Sequence, residues 1–258
     1  MECIDIERSI IKKYRKCLWG RFVRAINDYE MISEGDKIAV CISGGKDSFL
    51  LAKLMQELKK HGRVNFDLEF ICMNPGYKKE HLDNILENAK HLEIPLHIFE
   101  SNIFEVTKKD LKPCYLCARM RRGYLYAEAQ KLGCNKIALG HHFNDVIETI
   151  LMSMIYNGEF KTMMPKLDAT NFKGMKLIRP MYYIKEEDIL AFCRNSELEF
   201  INCACAFSEK KDNDSKREVM KNLSKELVKL YKNADINIMN SAKNVNLRTI
   251  ISYVDTEE

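Results

Sequence analysis

Apolar residues along this chain gather in short runs, and between the runs they recur at helical spacing. Lys37 to Ile42 (Lys-Ile-Ala-Val-Cys-Ile) has the length and composition of a buried strand. Asn65 to Met73, with Phe66, Leu68, Phe70 and Ile71, is a second run, ended by the turn signal Asn74-Pro75-Gly76. Pro95 to Phe99, Asn135 to Gly140 and Lys176 to Met181 supply a third, a fourth and a fifth. Between them lie helical patterns: Phe49 to Leu58; Lys79 to His91 through Leu82, Ile85, Leu86 and Ala89; Arg119 to Leu132, closed by Gly133; Asn144 to Tyr156; and Glu186 to Asn195. Strands alternating with helices predict an α/β fold, doubly wound around a mainly parallel five-stranded sheet. From about Ile4 to Tyr29 the pattern predicts one amphipathic helix, which Ser33-Glu34-Gly35-Asp36 ends with a turn, and after about Glu199 it is helical again. The expected organisation is an N-terminal basic helical segment (1–34), a nucleotide domain (35–198) and a C-terminal helical region (199–258).

Composition changes this picture little. With 258 residues, 46% of them hydrophobic and 30% charged, the chain reads as an ordinary soluble globular protein. No stretch approaches the length of a membrane span, and the first residues lack the apolar core of a signal peptide, so a cytoplasmic protein without membrane contact is expected. The net charge of +4 is mild, but its distribution is uneven. Arg8, Lys12, Lys13, Arg15, Lys16, Arg21 and Arg24 share the first helical stretch with Tyr14 and Trp19. A second basic region, from Lys210 to Lys232, is diluted by Asp212, Asp214, Glu218 and Glu226. Either region alone reads equally as solvated surface; two of them around a nucleotide site point to a phosphate-rich macromolecule.

The chemistry concentrates at Ser43-Gly44-Gly45-Lys46-Asp47-Ser48, directly after the first strand and directly before a helix. In that context, backbone N–H groups at a helix N-terminus face an anion. Gly44 and Gly45 admit a tight turn and a close approach of phosphate oxygens, Ser43 and Ser48 offer hydroxyl donors, and Lys46 a cation. Asp47 is suited to position a Mg²⁺ riding on the phosphates. The spacing is not that of the Walker A loop. The plainer alternative is an ordinary glycine turn.

Ten cysteines in a reducing compartment point to ligands or catalytic thiols rather than disulfides. Cys114 and Cys117 form a Cys-x-x-Cys pair ahead of the basic run, and Cys203 and Cys205 form a Cys-x-Cys pair far downstream. Four thiolates suit a closed zinc site, three suit an iron–sulfur cluster with one open iron, and Cys114 with Cys117 alone suits a redox pair. Gly140-His141-His142-Phe143-Asn144-Asp145 ends the fourth strand, where polar groups overlie a nucleotide crevice. Nucleotide contact is the expectation for Gly140 and His141, and a Mg²⁺ or general-base role for Asp145.

The succession of Ser-Gly-Gly-Lys-Asp-Ser, Cys114-x-x-Cys117, Arg119-Met120-Arg121-Arg122-Gly123, Lys136-Ile-Ala-Leu-Gly-His-His, Pro165-Lys166-Leu167 and Ile178-Arg179-Pro180 resembles the tRNA 2-thiocytidine biosynthesis family of N-type ATP pyrophosphatases, from about Lys12 to Asn244. The resemblance implies an adenine nucleotide α-hydrolase-like fold and an ATP-dependent tRNA sulfurtransferase that adenylates C2–O of cytidine 32 and installs sulfur. It implies ATP and Mg²⁺, with Lys46, Asp47 and Asp145 catalytic. It also implies a [4Fe–4S] cluster on Cys114, Cys117 and Cys203, with Cys205 the competing third thiol. tRNA and a sulfur donor, a cysteine desulfurase or free sulfide, are the implied partners; whether the chain works as a homodimer stays open. This chain departs from the family pattern at Asn144, where an acid is usual, at Asn202 in place of proline, and in the Cys203-x-Cys205 spacing. Three rivals stand beside this reading: a lysidine synthetase-like ligase of the same fold, a thiolase of another base or of a small molecule, and a non-catalytic zinc-stabilised nucleotide- or tRNA-binding module.

Overall fold

In the computed structural model, residues 1–101, 103, 113–196, 198, 200 and 216–253 are described, the side chains of 113–119 excepted. The elements are α1 (Cys3–Ile11), a π-helical turn (Arg15–Trp19), α2 (Gly20–Asp28), β1 (Lys37–Cys41), α3 (Lys46–His61), β2 (Asp67–Asn74), α4 (Lys79–His91), β3 (Leu96–Glu100), α5 (Pro113–Lys131), β4 (Lys136–Ala138), α6 (Phe143–Met152), a second π-helical turn (Ser153–Asn157), β5 (Lys166–Asp168), β6 (Lys176–Ile178), α7 (Glu186–Ser196), α8 (Lys216–Leu230) and α9 (Ala234–Ser241). They divide into two compact units, one of Met1–Phe143 with Met164–Lys211, the other of Asn144–Met163 with Asp212–Glu258.

The first unit holds the sheet, in the order β3-β2-β1-β4-β6-β5. β1 pairs in parallel with both β2 and β4, and β4 in parallel with β6. Among the described residues the sheet has six strands, not the expected five. The additional strand, β5, is three residues long and antiparallel to β6, with Leu167 opposite Leu177. So short a segment beside Pro165 carries no alternation to betray it. The order reverses between β1 and β4, so the loops leaving these two strands border the switch-point crevice.

Apolar side chains explain the layering. Ile38, Ala39 and Val40 of β1 are fully buried, as befits a strand covered on both faces, and so are Phe49, Leu51, Ala52, Leu54 and Met55 of α3. Two cations are buried with them, each paired. Lys53, 1% exposed, donates from Nζ to Glu7 Oε1 (2.6 Å) and to the Leu92 carbonyl (3.0 Å). Lys136 on β4 donates to Asp36 and to the Met31 carbonyl (3.0 Å), which ties β4 to the loop before β1.

The expected single N-terminal helix is instead α1, a turn, the π-helical turn and α2. Tyr14 is where it breaks: its hydroxyl donates to the Ala191 carbonyl (3.0 Å) and its ring stands edge-on to Phe192 (5.7 Å). Burying Tyr14 against α7 while α1 packs on α3 requires a change of direction, and tertiary packing overrides the local period. At the other side of the sheet, α5 begins at Pro113, so Cys114 and Cys117 lie within the helix rather than ahead of it. Proline is at home in a first helical turn, where its missing N–H has no partner to lose.

Candidate functional site

The glycine loop joins β1 to α3 and is held by its own serines. Ser48 Oγ accepts from the Ser43 N–H (3.1 Å) and donates to the Gly45 carbonyl (2.8 Å), which closes the loop into a ring. Gly44 has φ +86°, a left-handed conformation that a side chain would strain. Gly45 is the N-cap of α3, and no side chain caps the helix. The first N–H groups of a helix lack partners along the chain, and the helix dipole adds positive potential there. The loop therefore presents backbone donors and a favourable field to an anion, as its sequence predicts.

Charged groups surround this cradle. Lys46 Nζ lies 3.1 Å from Asp47 Oδ2 and 3.7 Å from Glu186 Oε1 at the start of α7. Asp47 Oδ1 is shut off from solvent and has no hydrogen-bond partner. A buried carboxylate oxygen left this way is costly unless a ligand completes it, and an oxygen-seeking Mg²⁺ is a fitting one. Cys193, also on α7, has its thiol pushed up to about 11 by burial, with the Asp47 charge adding to the effect. It therefore remains a thiol at neutral pH.

From β4 the chain passes Gly140 directly beneath the glycine loop. A Cβ at Gly140 would lie 3.2 Å from the Asp47 carbonyl carbon and oxygen and from the Ser48 nitrogen. Only glycine lets the two loops of the switch point touch through their backbones. His141 follows, and its Nδ1 accepts from Arg179 Nε (3.3 Å), which leaves the proton of the neutral ring on Nε2. Arg179, 7% exposed, also donates to the Met164 carbonyl. Gly140 thus packs against the loop of Ser43, Gly44, Gly45, Lys46, Asp47 and Ser48, with His141 its neighbour in the chain.

Asp145 falls in the second unit, where it pairs with Arg217 of α8. Arg217 Nε also donates to Glu148 Oε2 (2.9 Å), whose carboxyl is raised by burial despite that guanidinium. Cys114 and Cys117 occupy positions three apart near the start of α5, a spacing that puts two positions on one face of a helix. Their side chains, together with Cys203 and Cys205, lie outside the described residues. Among the described residues, no group of three histidines, cysteines or carboxylates could hold a metal ion. No helix among them is long and apolar enough to cross a membrane.

Two residues near the cradle escape the sequence reading. Glu186 reads there only as an acid opening a helix, a common enough position to conceal its approach to Lys46. Arg179 is noticed only as part of Ile178-Arg179-Pro180, and its grip on His141 needs the β4–β6 pairing to become visible.

The site's motifs recur in known proteins. A family model described as the PP-loop domain matches residues 18–223. The tRNA-cytidine(32) 2-sulfurtransferase of Geotalea uraniireducens (strain Rf4) is 39% identical over 214 residues, covering 80% of this chain and 84% of the relative. That of Syntrophotalea carbinolica is 34% identical over 250 residues, covering 95% and 94%. Among solved structures, the U34-tRNA thiolase NcsA from Methanococcus maripaludis, determined with its [4Fe-4S] cluster, superposes with a TM-score of 0.71 at 22% identity, over 90% of this chain and 78% of that one. That likeness establishes the fold, and the sequence matches establish the lineage: the chain belongs to the PP-loop family, among the tRNA-cytidine(32) 2-sulfurtransferases.

Proposed function

We propose that this chain is an ATP-dependent tRNA sulfurtransferase that converts a cytidine, at position 32, into 2-thiocytidine. The C2 carbonyl oxygen of the base attacks the α-phosphorus of ATP and pyrophosphate leaves. A sulfur nucleophile then adds at C2, and AMP departs with the oxygen. An oxygen is a poor leaving group until it carries a phosphoryl group, so thiolation needs the cradle.

The observation that carries this reading is the uncapped start of α3 beside the orphaned Asp47 Oδ1. In this assignment Gly44, Gly45 and the first N–H groups of α3 bind the pyrophosphate, Ser43 and Ser48 shape the loop, and Lys46 neutralises charge that builds on the leaving phosphates. Asp47 holds Mg²⁺, the fit being its unpartnered, solvent-excluded oxygen. Gly140 and His141 border the nucleotide, and Asp145 is assigned a metal-binding or general-base role. Cys114, Cys117 and Cys203 would hold a [4Fe–4S] cluster. The donor set fits, since Cys114 and Cys117 stand three positions apart along α5 and thiolate is the ligand such clusters take. When bound, the cluster supplies an open iron on which sulfur can be kept. tRNA and a sulfur donor, such as a cysteine desulfurase or free sulfide, are the partners in this assignment, which places the chain in the cytoplasm.

The test is anaerobic turnover with tRNA, ATP and sulfide, followed by nucleotide and nucleoside analysis. AMP, pyrophosphate and 2-thiocytidine should form together. Release of ADP and orthophosphate would overturn the assignment.

A further inference from the structure

A second cleft opens in the first unit, at the far end of α3 from the glycine loop. It encloses about 740 Å³. Ile26, Leu58 and Phe66 supply apolar lining, Trp19 an indole, His61 an imidazole, and Arg15 and Arg63 the cationic groups. One carboxylate, Glu30, is among the lining residues. The π-helical turn Arg15–Trp19 begins with one of these residues and ends with another. Such turns widen a helix at some cost in hydrogen-bond geometry, and they recur where side chains serve a ligand.

The arginines of this region are not equivalent. Arg21 is bound to Asp188 (2.7 Å), and Arg24 lies against Asp28 (3.3 Å) and the Tyr183 ring (5.4 Å). These two members of the N-terminal basic run are thus paired within the protein itself. Arg15 and Arg63 are exposed and have no carboxylate partner among the described residues, and Lys12 and Lys16 beside them are exposed as well. Arg15 and Arg63 therefore bring uncompensated positive charge to a cleft that also contains an indole, the combination that holds a base by stacking and its phosphates by charge.

We propose that this cleft holds an unpaired nucleotide of the bound tRNA, stacked on Trp19 with its flanking phosphates on Arg15 and Arg63. The inference rests on tRNA being the substrate. α3 runs 16 residues from Lys46 to His61, roughly 24 Å at the helical rise, so one ATP in the glycine loop cannot reach the cleft, whereas a polynucleotide can touch both. Cations beyond the cleft, at Lys12 and Lys16, favour a polyanion over a mononucleotide.

Trp19 is the only tryptophan in the chain, so its fluorescence reports this cleft alone. The full-length protein is titrated with a tRNA transcript, with AMP and with a cysteine desulfurase, and tRNA affinity is measured separately by filter binding. The expected result is saturable quenching by tRNA, with the filter-binding Kd, and no response to the other two. R15A/R63A should weaken tRNA binding at least tenfold and flatten its log–log salt dependence by about one to two. W19A should weaken it by about tenfold or more, and W19F should recover part of that loss. An unchanged melting temperature in R15A/R63A guards against misfolding. tRNA binding that leaves Trp19 fluorescence and R15A/R63A affinity unaltered would overturn the inference while sparing the tRNA reading. Quenching by AMP or by the desulfurase, but not by tRNA, would overturn it too. No tRNA binding at low salt would remove both.

Discussion

Replacing Gly140 by alanine probes the junction on which the phosphate cradle rests. The added methyl would lie 3.2 Å from three backbone atoms of Asp47 and Ser48, where ordinary carbon contacts sit near 3.5–4.0 Å. None of the three can rotate away as a side chain could. The first turn of α3 must therefore retreat by a few tenths of an ångström, or β4 must. Forcing one extra carbon into a packed site costs about 1–3 kcal/mol of stability. The larger effect falls on the cradle, because a 1 Å misplacement can cost about a hundredfold in rate and this shift is a fraction of that. G140A should therefore slow tRNA-dependent pyrophosphate release about tenfold and lower the melting temperature by a few degrees. Gly123→Ala is the matched control: it lies in α5, and a Cβ there meets nothing within 4 Å. Removing a helical glycine should stabilise the protein by up to about 1 kcal/mol. G140A turning over within twofold of wild type, with an unchanged melting temperature, would refute the close-approach argument.

Asp47→Asn keeps the shape of the side chain and removes the charge. It should cut pyrophosphate formation at least a hundredfold while iron content, measured on anaerobic protein, stays at the wild-type level. Asp36→Asn leaves the buried Lys136 ammonium without a counter-charge, which should lower stability by about 3–5 kcal/mol in urea unfolding at pH 7. Burial alone would raise the Asp36 carboxyl, but bonds from Lys136, the Ser33 N–H and Asn135 hold it below its ordinary 3.8. Its stabilising contribution is therefore complete above that value and lost as pH falls through the lower folded one, so the gap between D36N and wild type should close in acid. Cys114→Ser, Cys117→Ser and Cys203→Ser should each strip most iron from protein purified without oxygen, and Cys205→Ser much less. Iron loss with Cys205 but not Cys203 would move the third ligand to Cys205.

What the sequence disclosed and what it concealed divide by range. The glycine loop is legible because all its parts are neighbours: an apolar strand, two glycines and a helix follow one another from Lys37 to Leu58. The parallel sheet follows from alternation of the same kind, repeated. β5 is missed because three residues cannot show a period, and it exists by pairing with β6. The break near Tyr14 is missed because amphipathic spacing continues through it, while its cause, the Ala191 carbonyl, lies on another helix. Pro113 marks the start of α5 in the sequence, because proline suits a first helical turn. Charge runs mislead for the same reason: Arg21 and Arg15 look alike in one dimension, and only Asp188 tells them apart.

The buried Lys53–Glu7 pair gives the first turns of the chain a hold on its centre. α1 stands more than thirty residues ahead of the cradle, yet its carboxylate is what lets α3 bury an ammonium group (Lys60 bonds the same carboxylate, 2.8 Å). Until Glu7 docks, the middle of α3 carries a bare charge facing the core, and the helix that bears the phosphate cradle at one end cannot settle. A protease that clips the chain ahead of Ile11, or a leader that keeps α1 from seating, thus strikes at nucleotide binding from a helix that never touches the nucleotide. α1 is a keystone, and removing it takes a counter-ion from the middle of the first unit.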